Sequence, residues 1–184
     1  GEVQWTYNAD GPCFASPVIS TFGRSVQLVT LTESSVVAVS PDTGKLLWKV
    51  PLGNAEQNIV TPVIHDGIVL LSGVGEGRTY ALRPTETGGK WSTEELWSNR
   101  KIPFYMSTPV IVGKHLVGLT NRRGGQLVCS SIDNGEIHWV SSPRLGENAA
   151  FVVAGSVVLA QLTTGKVLII APTTDELKMI AEYI

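Results

Sequence analysis

The side chains able to do chemistry are few and stand apart. Three histidines, His65, His115 and His138, lie at different strand positions of the repeat described below, so they share no phase. A metal site would need them to converge with a carboxylate, and they read as ordinary half-exposed histidines. Two cysteines, Cys13 and Cys129, are separated by most of three repeats and fit neither a disulfide framework nor a zinc site. A bridge between them would require the chain to fold back on itself. No Gly-x-Ser-x-Gly elbow is present for nucleophilic catalysis. Gly73-Val74-Gly75-Glu76-Gly77 superficially resembles a phosphate-cradling loop, but such a loop needs a helix N-terminus after it. Arg78-Thr79-Tyr80-Ala81-Leu82 follows and reads as a strand, so these glycines predict a hairpin turn.

Recognition chemistry is better represented. Two loops are richer than turns require: Ser98-Asn99-Arg100-Lys101 running into Ile102-Pro103-Phe104-Tyr105-Met106, and Asn121-Arg122-Arg123-Gly124-Gly125. Arg and Tyr are residues that recognition surfaces use. If both loops emerge on one face, Arg100, Lys101, Tyr105, Arg122 and Arg123 form one basic-aromatic patch. The plainer reading is a solvated loop pair with Phe104 and Tyr105 tucked over a sheet edge. Beyond Arg122-Arg123 neither charge sign clusters: Lys+Arg 14 against Asp+Glu 16 leaves a formal charge of −2. A nucleic-acid binder would show a basic stripe, so no nucleic-acid partner is expected. No apolar run approaches the ~20 residues of a membrane span.

These residues must be positioned by a repeating framework. Ser16-Pro17-Val18-Ile19, Thr61-Pro62-Val63-Ile64 and Thr108-Pro109-Val110-Ile111 each open a copy, and Trp48, Trp97 and Trp139 each end one. Ala150-Phe151-Val152-Val153 opens a worn fourth copy, with Asp175 in place of the turn glycine and Met179 in place of the Trp. Within each copy, four- to six-residue β-branched runs alternate with turns, as in Val26 to Leu31, Ser35 to Ser40 and Lys45 to Val50. Pro41-Asp42-Thr43-Gly44 is a hairpin turn: Pro presets φ, Asp bonds to backbone, and Gly takes the positive-φ exit. The second copy stretches this hairpin through Thr85 to Leu96, which lengthens the step from Trp48 to Trp97. Repeats of this kind cannot bury their apolar faces alone and must stack. Four-stranded antiparallel units at this period predict an all-β fold, a β-propeller with about four blades present. A β-sandwich of similar strand count is the alternative, but it has no reason to repeat itself. The expected units are an orphan outer strand over 1–7 and blades over 15–51, 60–98, 107–141 and a degenerate 149–184. In a propeller both polar loops can share a face. Distant blades can also bring acids together for glycosidase-type work, but Glu94-Glu95 adjoin the stretched hairpin, where a solvated face is expected.

Ala38-Val39-Ser40-Pro41-Asp42-Thr43-Gly44-Lys45-Leu46-Leu47-Trp48 resembles the signature Ala-x-Asp-x-x-Thr-Gly-x-x-x-Trp of the pyrroloquinoline-quinone-like β-propeller repeat family, with Ser40 where that family has Asp. Cys129 to Trp139 matches at the same spacing, and Ala81 to Trp97 in expanded form. The resemblance implies that Trp5, Trp48, Trp97 and Trp139 dock one blade against the next, and that complete rings hold seven or eight blades. It implies two functional branches. Quinone-dependent dehydrogenases of the family carry adjacent, disulfide-bonded cysteines and a calcium held by carboxylates and an Asn; here the cysteines are far apart, so neither the quinone nor calcium is expected. The chain is more similar to the non-catalytic branch, which includes the propeller lipoprotein of the bacterial outer-membrane assembly machine and sensor domains of bacterial kinases. That branch implies a periplasmic or extracellular bacterial scaffold, cut from a longer exported protein, that binds a protein partner or ligand. Two raw sheet edges add an expectation of self-association. The competing expectation is part of a quinone-dependent dehydrogenase, or of a propeller hydrolase, whose catalytic groups lie partly outside the chain.

Overall fold

The computed structural model describes residues 1–52, 58–74 and 77–184, so the turn expected at Gly75-Glu76 lies outside the described residues. Apolar alternation builds the first sheet. In β2 (Ser25–Leu31) Gln27, Val29 and Leu31 are buried while Val26 is exposed, the period-2 pattern of a strand with one covered face. β3 (Ser35–Val39) is buried at every position, because both of its faces are covered. With β1 (Val18–Phe22) and β4 (Leu46–Pro51) these form an antiparallel sheet in chain order, blade I. The order recurs three times. Blade II holds β5 (Val63–His65), β6 (Ile68–Val74), β7 (Arg78–Thr87) and β8 (Lys90–Asn99). Blade III holds β9 (Val110–Val112), β10 (His115–Thr120), β11 (Gln126–Ser131) and β12 (Ile137–Val140). Blade IV holds β13 (Ala149–Ala154), β14 (Val157–Leu162), β15 (Val167–Ala171) and β16 (Lys178–Tyr183).

Three apolar clusters lie between consecutive blades and hold the array together. Val29, Leu31, Val36 and Trp48 of blade I meet Val69, Leu71 and Leu82 of blade II. Leu70, Ala81 and Trp97 meet Leu116, Val128 and Ile132 of blade III. Val117, Leu119, Leu127 and Trp139 meet Val158, Ala160, Leu168 and Ile170 of blade IV. Sheets stacked face to face in sequence order are the four-bladed partial propeller that the repeats predict.

Three tryptophans dock by one rule. Trp5 Nε1 donates to the Pro41 carbonyl of blade I at 2.7 Å, Trp97 Nε1 to the Ile132 carbonyl of blade III at 2.8 Å, and Trp139 Nε1 to the Thr173 carbonyl of blade IV at 2.9 Å. The acceptor always lies in the turn before the next blade's last strand. A Cβ at Gly44 would stand 2.6 Å from the Trp5 ring, and one at Gly135 would stand 2.5 Å from the Trp97 ring. Glycine in this turn therefore serves both a positive φ and a seat for the preceding indole. Trp48 departs from the rule. Its neighbour, blade II, has the stretched β7–β8 hairpin in place of that turn, and Trp48 Nε1 donates instead to Gln27 Oε1 of its own blade at 2.7 Å. The ring is still buried at the junction of blades I and II, and Trp91 of the stretched hairpin packs against the same cluster.

Two expectations need correction. Residues 1–8 pair with no strand of the array; the segment is held by Trp5, and just after it Asp10 accepts from Thr32 Oγ1 at 3.0 Å and Lys49 Nζ at 2.8 Å. The residue standing where the fourth blade should have its Trp is Ala181, not Met179. In every blade the register of the last two strands slips by one residue: Trp48 faces Ala38 just before the slip, and Ala181 faces Ile169 at the same point. The slip is common to all four blades; blade IV differs in its turn, since Ile169 and Ala181 are two residues further apart than Ala38 and Trp48 or Cys129 and Trp139, and counting from Asp175 missed this.

Candidate functional site

The β10–β11 turn carries the Arg pair. After Thr120 the chain makes a single 3-10 turn over Arg122–Gly124, closed by Gly125 N donating to the Arg122 carbonyl at 2.9 Å. Arg123 has φ 51, Gly124 φ 77 and Gly125 φ 97, so three successive residues lie in the left-handed region. Two linkers brace this turn. Arg122 Nη2 donates to the Arg100 carbonyl of the blade II–III linker at 2.7 Å. From the blade III–IV linker, Arg144 N donates to the Arg123 carbonyl, Leu145 N to the Gly125 carbonyl and Gly146 N to the Gly124 carbonyl, at 3.3, 3.1 and 3.2 Å. Linkers and middle hairpins thus share one face of the array.

The first linker is anchored from below. Ile102 and Phe104 are fully buried; Thr79 Oγ1 donates to the Ile102 carbonyl at 2.6 Å and Phe104 N donates to Ser72 Oγ at 2.9 Å. The Phe104 ring fills the space beside Gly118, where a Cβ would lie 2.6 Å from it. Tyr105 is 39% exposed. The expected tucking of both aromatics over the blade therefore holds for Phe104 and not for Tyr105.

Lys101, Arg122 and Arg123 line one cleft of about 660 Å³ with Val128, Ile137 and Val140 beneath them and Thr120, Gln126 and Ser141 alongside. Tyr105 lines a separate hollow with Met106, Asn121 and Glu147. Arg100 contributes its carbonyl to the brace. The five residues thus share a face but divide into a basic cleft and an aromatic hollow. Arg144, which the sequence did not single out, joins them through its backbone bond to Arg123 and its side chain beside Gly124. Elsewhere cations face acids: Lys49 meets Asp10, Lys114 meets Asp133 and Lys166 meets Glu182, at 2.8, 2.8 and 2.6 Å. Among the described residues, no carboxylate lies at ion-pair distance from Lys101, Arg122, Arg123 or Arg144.

The remaining chemical groups divide differently from expectation. His115 and His138 do come together, with ring centroids 5.4 Å apart and edge to face. Both belong to blade III, and the slip beside Cys129 and Ser130 sets His138 out of register toward its neighbour. Burial, and then the charge of His138, lower the pKa of His115. His115 Nδ1 lies 3.7 Å from Cys129 Sγ, whose pKa is pushed up to about 12 by burial, so this thiol is no nucleophile at neutral pH. His65 pairs with Asp66 on the surface. Among the described residues, no three His, Cys, Asp or Glu side chains gather as a metal site would require. Both cysteines are free and lie in different parts of the array: Cys13 donates to the Leu31 carbonyl in blade I, while Cys129 is buried between blades III and IV. Glu94 and Glu95 are exposed on β8, with Glu94 opposite Arg83.

The sequence profile described as outer membrane protein assembly factor BamB matches residues 1–141. No curated protein sequence matches the chain. Among solved structures, BamB from Moraxella catarrhalis superposes with a TM-score of 0.73 at 17% identity, covering 100% of this chain and 55% of that one. The computationally designed Ika4 protein gives 0.65 at 13% identity, covering 94% of this chain and 99% of that one. Quinohemoprotein alcohol dehydrogenase ADHIIG from Pseudomonas putida HK5 gives 0.60 at 12% identity, with 96% and 34% covered. At these identities the likeness is one of fold. The chain spans about half the length of the Moraxella protein and a third of the dehydrogenase.

Proposed function

Because the chain belongs to the family of the outer membrane protein assembly factor BamB, we propose that it acts as a non-enzymatic propeller scaffold of the bacterial envelope. In this reading it works in the periplasm or outside the cell and binds a protein partner through the loops of its linker face. The observation that supports this most is the group Lys101, Arg122, Arg123 and Arg144, none with a carboxylate at ion-pair distance among the described residues, gathered at a turn cross-braced by two linkers. Rigid mounting lowers the ordering cost of recognition. No helix among the described residues is long and apolar enough to cross a membrane. Self-association belongs to the same proposal: on blade IV, Val152 and Tyr183 are 61% and 59% exposed and lie on the sheet face turned away from blade III. Such an apolar face invites a second sheet.

One photo-crosslinking experiment tests both parts. The full-length protein carries a photoreactive side chain at Arg123, at Gly88 on the opposite hairpin tip, or at Val152. The expected result is a discrete adduct with another envelope protein from position 123, none from 88, and an adduct of twice the protein's mass from 152. Equal labelling at 123 and 88 would remove the linker-face reading, and a purely monomeric product at 152 would remove self-association.

A further inference from the structure

The chemistry of the basic cleft narrows the kind of partner it fits. Three non-glycine residues among those described have positive φ, and two of them, Arg123 and Arg144 (φ 65), sit here. Arginine gains nothing intrinsically from the left-handed region. Such outliers persist where surrounding structure fixes them, and they concentrate at functional sites. Here backbone bonds from Arg144, Leu145 and Gly146 to residues 123–125 impose the conformation, fixing where both arginine side chains begin.

Two ligand classes could meet such cations, a free phosphate-like anion or the carboxylates of a protein. A phosphate site built on left-handed turns works through free backbone N–H groups. The amides of Gly125, Arg144, Leu145 and Gly146 already donate to backbone carbonyls, so little of that cradle remains. The cleft floor is instead apolar, made by half-buried Ile137 and by Val140, which is 46% exposed, over the buried Val128. Arg pairs well with planar carboxylates through two parallel hydrogen bonds, and an aliphatic floor takes aliphatic side chains. We propose that this cleft takes an acidic, extended segment of a protein partner, its carboxylates on Lys101, Arg122 and Arg123 and an aliphatic side chain on Ile137 and Val140. The proposal rests on the partner-binding reading above and names that partner's chemistry.

Fluorescence anisotropy with three labelled ten-residue peptides tests it: alternating Glu-Val, alternating Lys-Val and alternating Glu-Ser. Glu-Val should bind saturably, weaken as salt is raised from roughly 50 to 500 mM, and exceed both other peptides by about tenfold or more. Arg122→Ala with Arg123→Ala should weaken it by about tenfold while the thermal midpoint stays within about 2 °C. Since Arg122 also braces a linker, Lys101→Glu serves as a second variant that leaves every hydrogen bond of the turn in place, and it should weaken binding as much. Lys45→Ala with Lys90→Ala, far from the cleft, should change nothing. Equal binding of Lys-Val, or unchanged binding by both cleft variants, would overturn the proposal. Displacement of the peptide by submillimolar polyphosphate at constant ionic strength would overturn it in favour of a free polyanion. A failure here with a surviving adduct at position 123 would sink the acidic-segment inference alone; loss of the adduct would sink the partner reading itself.

Discussion

Trp97→Ala should lower unfolding free energy by about 3–5 kcal/mol, the range for removing a large buried aromatic. Trp97 is 9% exposed, lies in the cluster that joins blades II and III, and faces Ala81 across the β7–β8 ladder. Its loss leaves a void on both blades and strands the Ile132 carbonyl that its indole N–H satisfies. The cavity has little means of collapse, because the facing position is Gly135, with no side chain to move inward. Urea unfolding followed by circular dichroism checks this, provided the transition is two-state. Trp5→Ala should cost clearly less: its ring is only half-buried and covers one blade rather than joining two described ones. A loss below about 1 kcal/mol for Trp97→Ala, within the ordinary range for a surface position, would mean the packing residues are misassigned.

Gly125→Ala should be comparably severe and should act locally. A Cβ at this position would fall 1.8 Å from the Gly146 carbonyl oxygen, and φ is 97. The atoms it meets are all backbone of Gly146, not a flexible side chain, so two backbones must separate. That breaks the bonds from Leu145 and Gly146 to the turn. Steric exclusion at a strained φ together with two lost backbone hydrogen bonds predicts a loss of about 3 kcal/mol or more. Hydrogen exchange locates the damage: the amides of Leu145 and Gly146 should lose protection while those of β2 and β3 keep theirs. Uniform loss of protection across all four blades would contradict a local role for the brace. The cleft cations are mounted on this turn, so the substitution should also disturb them without touching a charge.

What was legible in the sequence was whatever depends on period. The Ser/Thr-Pro-Val-Ile openings and in-phase tryptophans place blades I to III because a strand–turn grammar writes itself directly into residue order. The stretched hairpin was also visible, as extra residues between Ala81 and Trp97. Its consequence was not: that Trp48 loses its acceptor and turns to Gln27 depends on a neighbouring sheet, which no window of residues contains. Ala181 was missed because the β15–β16 turn is two residues longer than its counterparts in blades I and III, and without a Trp to mark the strand no residue in the window reveals the extra length. The His115–His138 contact was missed because β10 and β12 are two strands apart in the sheet and their side chains meet only in space. The site was half legible. Loop richness pointed to Arg100, Lys101, Tyr105, Arg122 and Arg123, and propeller topology put them on one face. Their division into a cleft and a hollow follows from the backbone path of residues 121–125. The signal for Arg144 was weak: Arg-Leu-Gly after a Ser-Ser-Pro linker offers nothing until Gly125 and Gly146 are seen in contact.

Exchange of the five tryptophan indole N–H protons, resolved in a ¹H–¹⁵N spectrum during transfer to heavy water, tests most directly whether recurring tryptophans are wedges between stacked sheets. The indoles of Trp48, Trp97 and Trp139 are buried and each donates to a fixed acceptor. Trp91 is only partly buried, and its indole nitrogen has no acceptor among the described residues. Three slow protons at the repeat positions against a fast one at Trp91, with half-buried Trp5 between, is the predicted result. Rapid and equal exchange at Trp97, Trp139 and Trp91 would contradict it.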